Sequence, residues 1–390
     1  MNLNLISEPV EPEAIWIGDI VDGIVRESMK KALNLVAVTD GRIHDHFYGR
    51  DNERSLVLVV GYSLAWINET LQNLTRIGCE PILVSIYDSR FCGKNADSTV
   101  SFAAVNTTSA IRELVSYCVA NERRNIALFG FHRDTVGDIA KLTGYAEGLR
   151  LNGIAFSRNN IYSRGKIALL SEQLMSKINS YDAVICTNDL LAIYLINYFE
   201  ARGIHVPDDI FVTGFGNWSV VKSLRPGLTR MYTDLGELGA LAVRLHQYMQ
   251  YNPQIRHASS VLECVLQISE STGFLPYGGQ KSEVRQLSAP SLTESTPLYS
   301  SDSDIMEVLK SELFVRGSDE IDTAILRGIL DGLRYQDISE NVCISESTVK
   351  YRLARMQKVC GFADRQELIA FAEKYRILLY KGADIQNDRA

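Results

Sequence analysis

Between residue 13 and about residue 275, short apolar runs alternate with longer stretches whose apolar residues recur three and four positions apart. The runs "AIWIG", "LVAVTD", "LVLVVG", "PILVSI", "NIALFGF", "DAVICTN" and "DIFVTGF" are rich in Val and Ile and predict buried strands. "WINETLQNLTRIG" and "TTSAIRELVSYCVANE" carry the helical spacing and predict helices between strands. Strand-helix alternation implies parallel sheets with helices on both faces. Ligands of such sheets bind at the carboxyl ends of the strands. Residues 1–12 are expected to be an N-terminal tail, and residues 13–275 one α/β domain.

After residue 275 the pattern stops. "PYGGQKSEVRQLSAPSLTESTPLYSSDSD" is rich in Ser, Pro and Gly and lacks periodicity, so residues 276–317 are expected to form a linker that includes one short amphipathic helix, "IMEVLKSELF". Residues 318–381 read as helical throughout, in "DTAILRGILDGL", "YQDISENV", "SESTVKYRLARMQKVC" and "DRQELIAFAEKY". Residues 382–390 are expected to be a polar tail.

One of these helices has a distinct face. On "SESTVKYRLARMQKVC", Val349, Leu353, Met356 and Cys360 fall on a single apolar stripe, with Ser345 as a fair N-cap. The remaining surface carries Lys350, Arg352, Arg355 and Lys358 against the lone acid Glu346. "YQDISENV" precedes it across a tight connection through Cys343 and Ile344. Two short helices in that order form a helix-turn-helix, whose second helix enters the major groove of DNA. A solvated, basic helix face is the bland alternative, and charge counting alone does not choose between them.

Composition narrows the options. The 390 residues suit two or three domains, 46% of them are hydrophobic, and the formal net charge is -7. Such a balance excludes a polycation that coats nucleic acid, so any contact with DNA has to be a local basic patch. The seven cysteines are scattered, without metal-ligand spacing. That usage fits a reducing cytoplasm. "MNLNLISEPVEPEAIWIG" does not read as a signal peptide, and no apolar run is long enough to span a membrane.

The last 60 or so residues of the helical region resemble the LuxR-type helix-turn-helix. Asp322, Ile325-Leu326, Gly332, Ile338-Ser339, "ISESTVK" and "DRQEL" stand at that family's spacing. Two departures matter. The family's opening Leu-Thr-x-Arg-Glu reads "SDEID", which predicts a weakened first-turn cap, and Arg352 stands where the family often has His. The resemblance implies a recognition helix in which Lys350, Tyr351 and Ala354 face base edges. Ser345, Ser347, Thr348, Arg352, Arg355 and Lys358 are placed for phosphates. Phosphate contacts supply salt-dependent affinity and base contacts supply sequence choice.

Upstream, "DAVICTNDLLAIYLINYFEARGIHVPDDIFVTGFGNW" and "RPGLTRMYTDLGELGALAVRLH" resemble the sugar-sensing domain of the LacI/GalR repressors, a periplasmic-binding-protein-like fold of two lobes with parallel sheets. That resemblance implies pocket residues. Asn188 ends a strand where its amide can bond a ligand hydroxyl. Lys141 replaces the family's ligand-binding Arg, keeping the charge without the bidentate fork. Tyr162 matches an aromatic that stacks on a sugar ring. Gly216 stands where the family has an acidic acceptor, and Trp218 offers a stacking face instead. The first lobe departs further. Taking "AIWIG" as its first strand leaves no Asn-Pro-Phe loop after it, and the expected helix between "LVAVTD" and "LVLVVG" is missing.

The resulting expectation is a cytoplasmic, DNA-binding regulator without catalysis, metal or cofactor. Its partners are double-stranded DNA, a small polar or sugar-like effector and a second copy of itself. The alternative is a sensor that has lost its small ligand and serves dimerisation or a protein partner. "HDH" at His44–His46 is expected to be an exposed loop. Asp182, Asp189, Asp208 and Asp209 are expected to be strand-end and turn residues.

Overall fold

A computed structural model describes residues 2–9, 16–38, 43–47, 54–86, 100–132, 136–163, 165–223, 225–277 and 303–375. Residues 278–302 of the linker and the tail 382–390 lie outside them. In chain order the elements of the α/β unit are β1 (Asn2–Ser7), α1 (Trp16–Lys30), β2 (Asn34–Ala37), α2 (Ile43–Phe47), β3 (Leu56–Val60), α3 (Leu64–Arg76), β4 (Glu80–Ser85), β5 (Ser101–Val105), α4 (Thr107–Ala120), β6 (Ile126–Phe129), α5 (Val136–Leu151), β7 (Ile161–Tyr162), α6 (Ile167–Met175), β8 (Ala183–Cys186), α7 (Asp189–Glu200), β9 (Phe211–Phe215), β10 (Thr229–Tyr232), α8 (Leu235–Tyr251), β11 (Ser259–Leu262) and β12 (Val265–Gln267). They build two six-stranded sheets, ordered β11-β5-β4-β3-β1-β2 and β12-β10-β9-β8-β6-β7. Pairing is parallel except between β10 and β12. This is the expected two-lobed α/β architecture.

Each lobe buries both faces of its sheet. Along β3, Leu56, Leu58 and Val60 meet the α1/α8 layer through Ile17, Ile20, Leu235 and Leu238. Val57 and Val59 point the other way onto Ile67, Leu71 and Leu74 of α3. Such doubly buried strands read as continuous apolar runs, which is why "LVLVV" was legible. The chain crosses between lobes after Val105, after Tyr232 and after Leu262. Asn106 sits at the first crossing and ties it to the third, its backbone N–H donating to Leu262 O (2.9 Å) and its Nδ2 to Glu263 Oε1 (3.0 Å).

Two expectations at the N-terminus are corrected. Residues 2–7, expected to be tail, form an inner strand of the first sheet, paired with both β2 and β3. "AIWIG", expected to be the first strand, opens α1: Ile17, Ile20 and Ile24 are buried at helical spacing. The strand that precedes α1 in the first lobe is therefore β1, not "AIWIG". "HDH" lies on α2, a single helical turn, rather than in a loop.

The remaining residues form a second unit, comprising 218–227 and 301–390, set apart from 1–217 and 228–300. Its helices are α9 (Ser303–Gly317), α10 (Glu320–Leu330), α11 (Tyr335–Asn341), α12 (Glu346–Val359) and α13 (Arg365–Lys374). The short helix expected inside the linker is thus α9, which belongs to this unit. Val349, Leu353, Met356 and Cys360 are all buried, as the stripe predicts. Phe371 stacks with Phe314, Phe362 and Tyr375 at centroid distances of 5.7, 5.0 and 4.8 Å.

Candidate functional site

In the second lobe, two residues of the predicted ligand set lie on helices, Lys141 within α5 and Asn188 at the start of α7. Lys141 on α5 is buried, its Nζ 2.8 Å from Asp138 Oδ1 and 5.1 Å from the centroid of the Phe215 ring. The other Asp138 oxygen accepts the His132 backbone N–H at 2.7 Å. One carboxylate thereby fixes the turn after β6 and neutralises the ammonium. The i,i+3 spacing of Asp138 and Lys141 is the signal that sequence reasoning passed over. Asn188 is the N-cap of α7, its Oδ1 accepting the Leu191 N–H at 2.9 Å.

The other three residues behave differently. Tyr162 is buried, donates its hydroxyl to Tyr181 Oη at 3.0 Å, and lies 6.3 Å from the Phe129 ring. Burial first, then the bond to Tyr181, pushes its phenol above the usual tyrosine range. Hydroxyl and ring are therefore spent on lobe packing. Gly216 has φ of 145° and donates its N–H to Met231 O at 3.0 Å. A side chain there is strained, so the family's acidic residue does not suit this backbone. Trp218 is buried and groups with the second unit, not with the other four.

In the first lobe a buried carboxylate sits at the start of α3. Glu8, just beyond β1, is buried. Its Oε2 accepts the N–H groups of Tyr62 (2.7 Å) and Ser63 (3.0 Å), and its Oε1 accepts the Ser63 hydroxyl (2.5 Å). Ser63 is the N-cap position of α3 but caps nothing with its own side chain. The Glu8 carboxylate sits at the amide end of that helix, where an anionic ligand group is favoured. Sequence reasoning missed Glu8 because it placed residues 1–12 outside the fold.

Of the four aspartates expected to be structural, Asp182 accepts the N–H groups of Arg124 and Asn125, and Asp209 accepts that of His205. Asp189 goes beyond a strand-end role, being fully buried in an ion pair with Arg230 at 2.7 Å. Among the described residues, no group of three or more His, Cys, Asp or Glu is arranged to hold a metal ion. Nor is any described helix long and apolar enough to cross a membrane.

In the second unit, α11 and α12 are joined through Cys343, whose φ of 54° makes the left-handed turn between them. Ser345 caps α12, accepting the Thr348 N–H at 3.2 Å. Ser345, Ser347, Lys350, Tyr351, Ala354 and Lys358 are exposed, and Thr348 is half-buried. Lys350 lies 5.7 Å from the Tyr335 ring centroid, and Arg365 lies 5.0 Å from the same ring.

Arg352 and Arg355 are committed inward. Arg352 Nη1 donates to Asp319 Oδ1 (2.9 Å) and Oδ2 (2.8 Å) and to Asp322 Oδ1 (2.9 Å). Arg355 Nη2 donates to Asp322 Oδ2 and, at 3.3 Å, to Gly317 O. Hydrogen bonds from Arg352 hold the Asp319 carboxyl below its usual range. The weakened cap expected at "SDEID" is also corrected, because Asp319 and Asp322 form a reciprocal capping box at the start of α10. Two of the four basic residues on α12 thus anchor it to α10.

Comparison with known proteins bears on the sensor. Residues 115–272 match the family described as a periplasmic binding protein-like domain. Catabolite control protein A of Staphylococcus aureus is 25% identical over 203 residues, 50% of this chain and 58% of that protein. The regulator CelR of Thermobifida fusca is 23% identical over 181 residues, 45% of this chain and 53% of that protein. The chain therefore spans less than two thirds of the length of these relatives. Among solved structures, a CelR-cellobiose complex aligns with a TM-score of 0.58 at 19% identity, covering 69% of this chain and 84% of that one. CcpA of Lactococcus lactis aligns with a TM-score of 0.57 at 17% identity, covering 70% of this chain and all of that one. These likenesses, with the two parallel-sheet lobes and their three crossings, establish a periplasmic-binding-protein-like fold for the sensor unit.

Proposed function

We propose that this chain is a DNA-binding transcription regulator, in which the two-lobed sensor answers a small polar, sugar-like effector and a LuxR-type helix-turn-helix reads double-stranded DNA as a dimer. The observation that carries this reading is the outer face of α12, where Lys350, Tyr351, Ala354 and Lys358 are exposed beyond a tight left-handed turn. Lys350 and Tyr351 are the base readers, and Lys358, more than two turns further along, meets phosphate. Ser345, Ser347 and Thr348 offer hydroxyls to phosphate at the amide end of the helix. Arg352 and Arg355 hold α12 in place.

The effector side rests on Asn188 and Lys141 together with Phe215. The solved CelR complex holds cellobiose, and a sugar suits an aromatic face beside a few polar groups. A second reading has its own observation. Glu8 fills the amide end of α3, and Asp138 neutralises Lys141, as expected if the sensor works without a small ligand and serves dimerisation or a protein partner.

Two measurements test the reading. Genomic fragments bound by the full chain supply an operator, and anisotropy then compares it with random DNA. Lys350→Ala is expected to cost about 1–3 kcal/mol on the operator and much less on random DNA. Lys358→Ala weakens both alike and lowers the salt slope by about one. Unchanged affinities for Lys350→Ala would return the basic face to ordinary solvated surface. For the sensor, a panel of mono- and disaccharides is screened by thermal shift. A true effector at about 100 times its dissociation constant adds roughly 2.7 kcal/mol of stability. A panel that leaves melting unchanged favours the ligand-free reading.

A further inference from the structure

Three helices of the C-terminal unit bring one residue each to a common aromatic ring. Tyr335 opens α11, Lys350 lies on the second turn of α12, and Arg365 opens α13. Lys350 Nζ is 5.7 Å from the centroid of the Tyr335 ring, and Arg365 Cζ is 5.0 Å from the same centroid. Both cations are exposed, and the tyrosine is half-buried. Elsewhere in the unit, Lys310, Arg316, Arg352, Arg355 and Lys374 each pair with a carboxylate. Among the described residues, neither Lys350 nor Arg365 has an ion pair; each has the ring instead.

The acids flanking Arg365 are committed elsewhere. Asp364 accepts the Glu367 N–H at 2.9 Å, while Glu367 pairs with Lys310 and accepts the Ala363 N–H at 2.7 Å. Nor does α13 itself call for Arg365, because a cation at the amide end of a helix opposes the helix dipole. A ring attracts a cation without adding negative charge, so both positive charges stay available while the ring restricts their motion. Two like charges drawn to one ring also repel each other, and an anion beside them relieves that repulsion. Charge held in place without a counter-ion is preorganised for an anionic partner.

We propose that Arg365 is a further contact with DNA, meeting the backbone phosphate beside the base edge that Lys350 reads, and that Tyr335 is the positioning residue that holds both cations. The first turn of α13 thereby joins the DNA face from outside the two-helix motif. The proposal rests on the reading of α12 as a recognition helix, and its test tells the failure of one from the failure of the other.

Anisotropy titrations of the full chain across a salt series, on the operator recovered from genomic fragments and on a random-sequence duplex, provide the test. Arg365→Gln is expected to weaken both DNAs alike and to lower the salt slope by about one, as the loss of one phosphate contact requires. Tyr335→Leu leaves both charges in place, so the slope is kept while operator affinity falls by about two- to fivefold, the effect of losing a ring contact at an exposed site. Tyr335→Phe keeps the ring and restores that affinity. Arg365 is exposed, so its variant reads the contact even if Tyr335→Leu loosens the unit. A salt slope unchanged in Arg365→Gln overturns the proposal. If Lys350→Ala still weakens operator binding, α12 stands as the recognition helix without α13; if Lys350→Ala is silent too, both fall. Equal losses in Tyr335→Leu and Tyr335→Phe would remove Tyr335 as the positioning residue.

Discussion

Asp189→Ala is expected to destabilise the sensor unit by about 3–5 kcal/mol, the usual cost of removing one partner from a buried ion pair. Asp189 is fully buried at the start of α7, and Arg230 on β10 is only 4% exposed. The guanidinium donates to Asp189 through Nη1 at 2.7 Å and to Gln267 through Nε at 3.1 Å. Truncation removes the carboxylate that faces this buried cation, while Gln267 stays within hydrogen-bond distance of it. The backbone is built around this pair. A Cβ on Gly214 of β9 would lie 2.5 Å from Asp189 Oδ1, so the glycine in "VTGFG" admits the carboxylate beside the strand. Denaturant titration followed by hydrogen exchange of β6, β8 and β9 measures the loss. The double variant Asp189→Leu with Arg230→Met is expected to recover part of it, since apolar pairs of similar volume often match a buried ion pair. A loss below about 1 kcal/mol for Asp189→Ala would place the pair in a wetter, cheaper environment than its burial implies.

Much of the architecture was legible because its strands are buried on both faces. "LVLVV" and "AVIC" admit only one reading when bounded by turns and helices. The N-terminus misled for a definite reason. "NLNLIS" alternates Leu with Asn, and its two asparagines hide a strand whose Leu3 and Leu5 are core. "AIWIG" has the β-branched look of a strand, yet its apolar spacing continues into Ile20 and Ile24, which only a helix accommodates. The pocket was less legible still. Identity at a family position says nothing of what a side chain is already bonded to: Lys141 pairs with Asp138, Tyr162 donates to Tyr181, and Trp218 is buried in the other unit. Glu312, buried on α9, was invisible for the opposite reason. Its partners are backbone amides 92 and 93 residues away, and no local pattern announces such a contact.

A distinction between charge left exposed on α12 and charge that holds the fold gives the last expected result. Asp322→Ala should destabilise the C-terminal unit by about 3 kcal/mol, the lower end of the range for broken buried pairs. Asp322 is fully buried, but its partners Arg352 and Arg355 are 21% and 39% exposed, so water relieves part of the cost. The substitution also removes half of the capping box on α10, since the Asp322 carboxylate accepts the Asp319 N–H at 3.1 Å. Arg355 would lose its ion pair with Asp322, and Arg352 would lose one of three hydrogen bonds while keeping two to Asp319. If Arg352 and Arg355 chiefly bind phosphate, loosening them strengthens attachment to random DNA at low salt. If they chiefly anchor α12 to α10, Asp322→Ala loosens α12 and, on the proposed reading of that helix, weakens operator and random binding together. The second outcome is expected, because Arg352 already makes three hydrogen bonds inside the unit. Urea unfolding and a salt series of anisotropy titrations read the two effects separately. Tighter binding to random DNA with stability unchanged would return both arginines to the phosphate-contacting set. Loss of stability with weaker binding would leave Lys350 and Lys358 as the cations of α12 that meet the duplex.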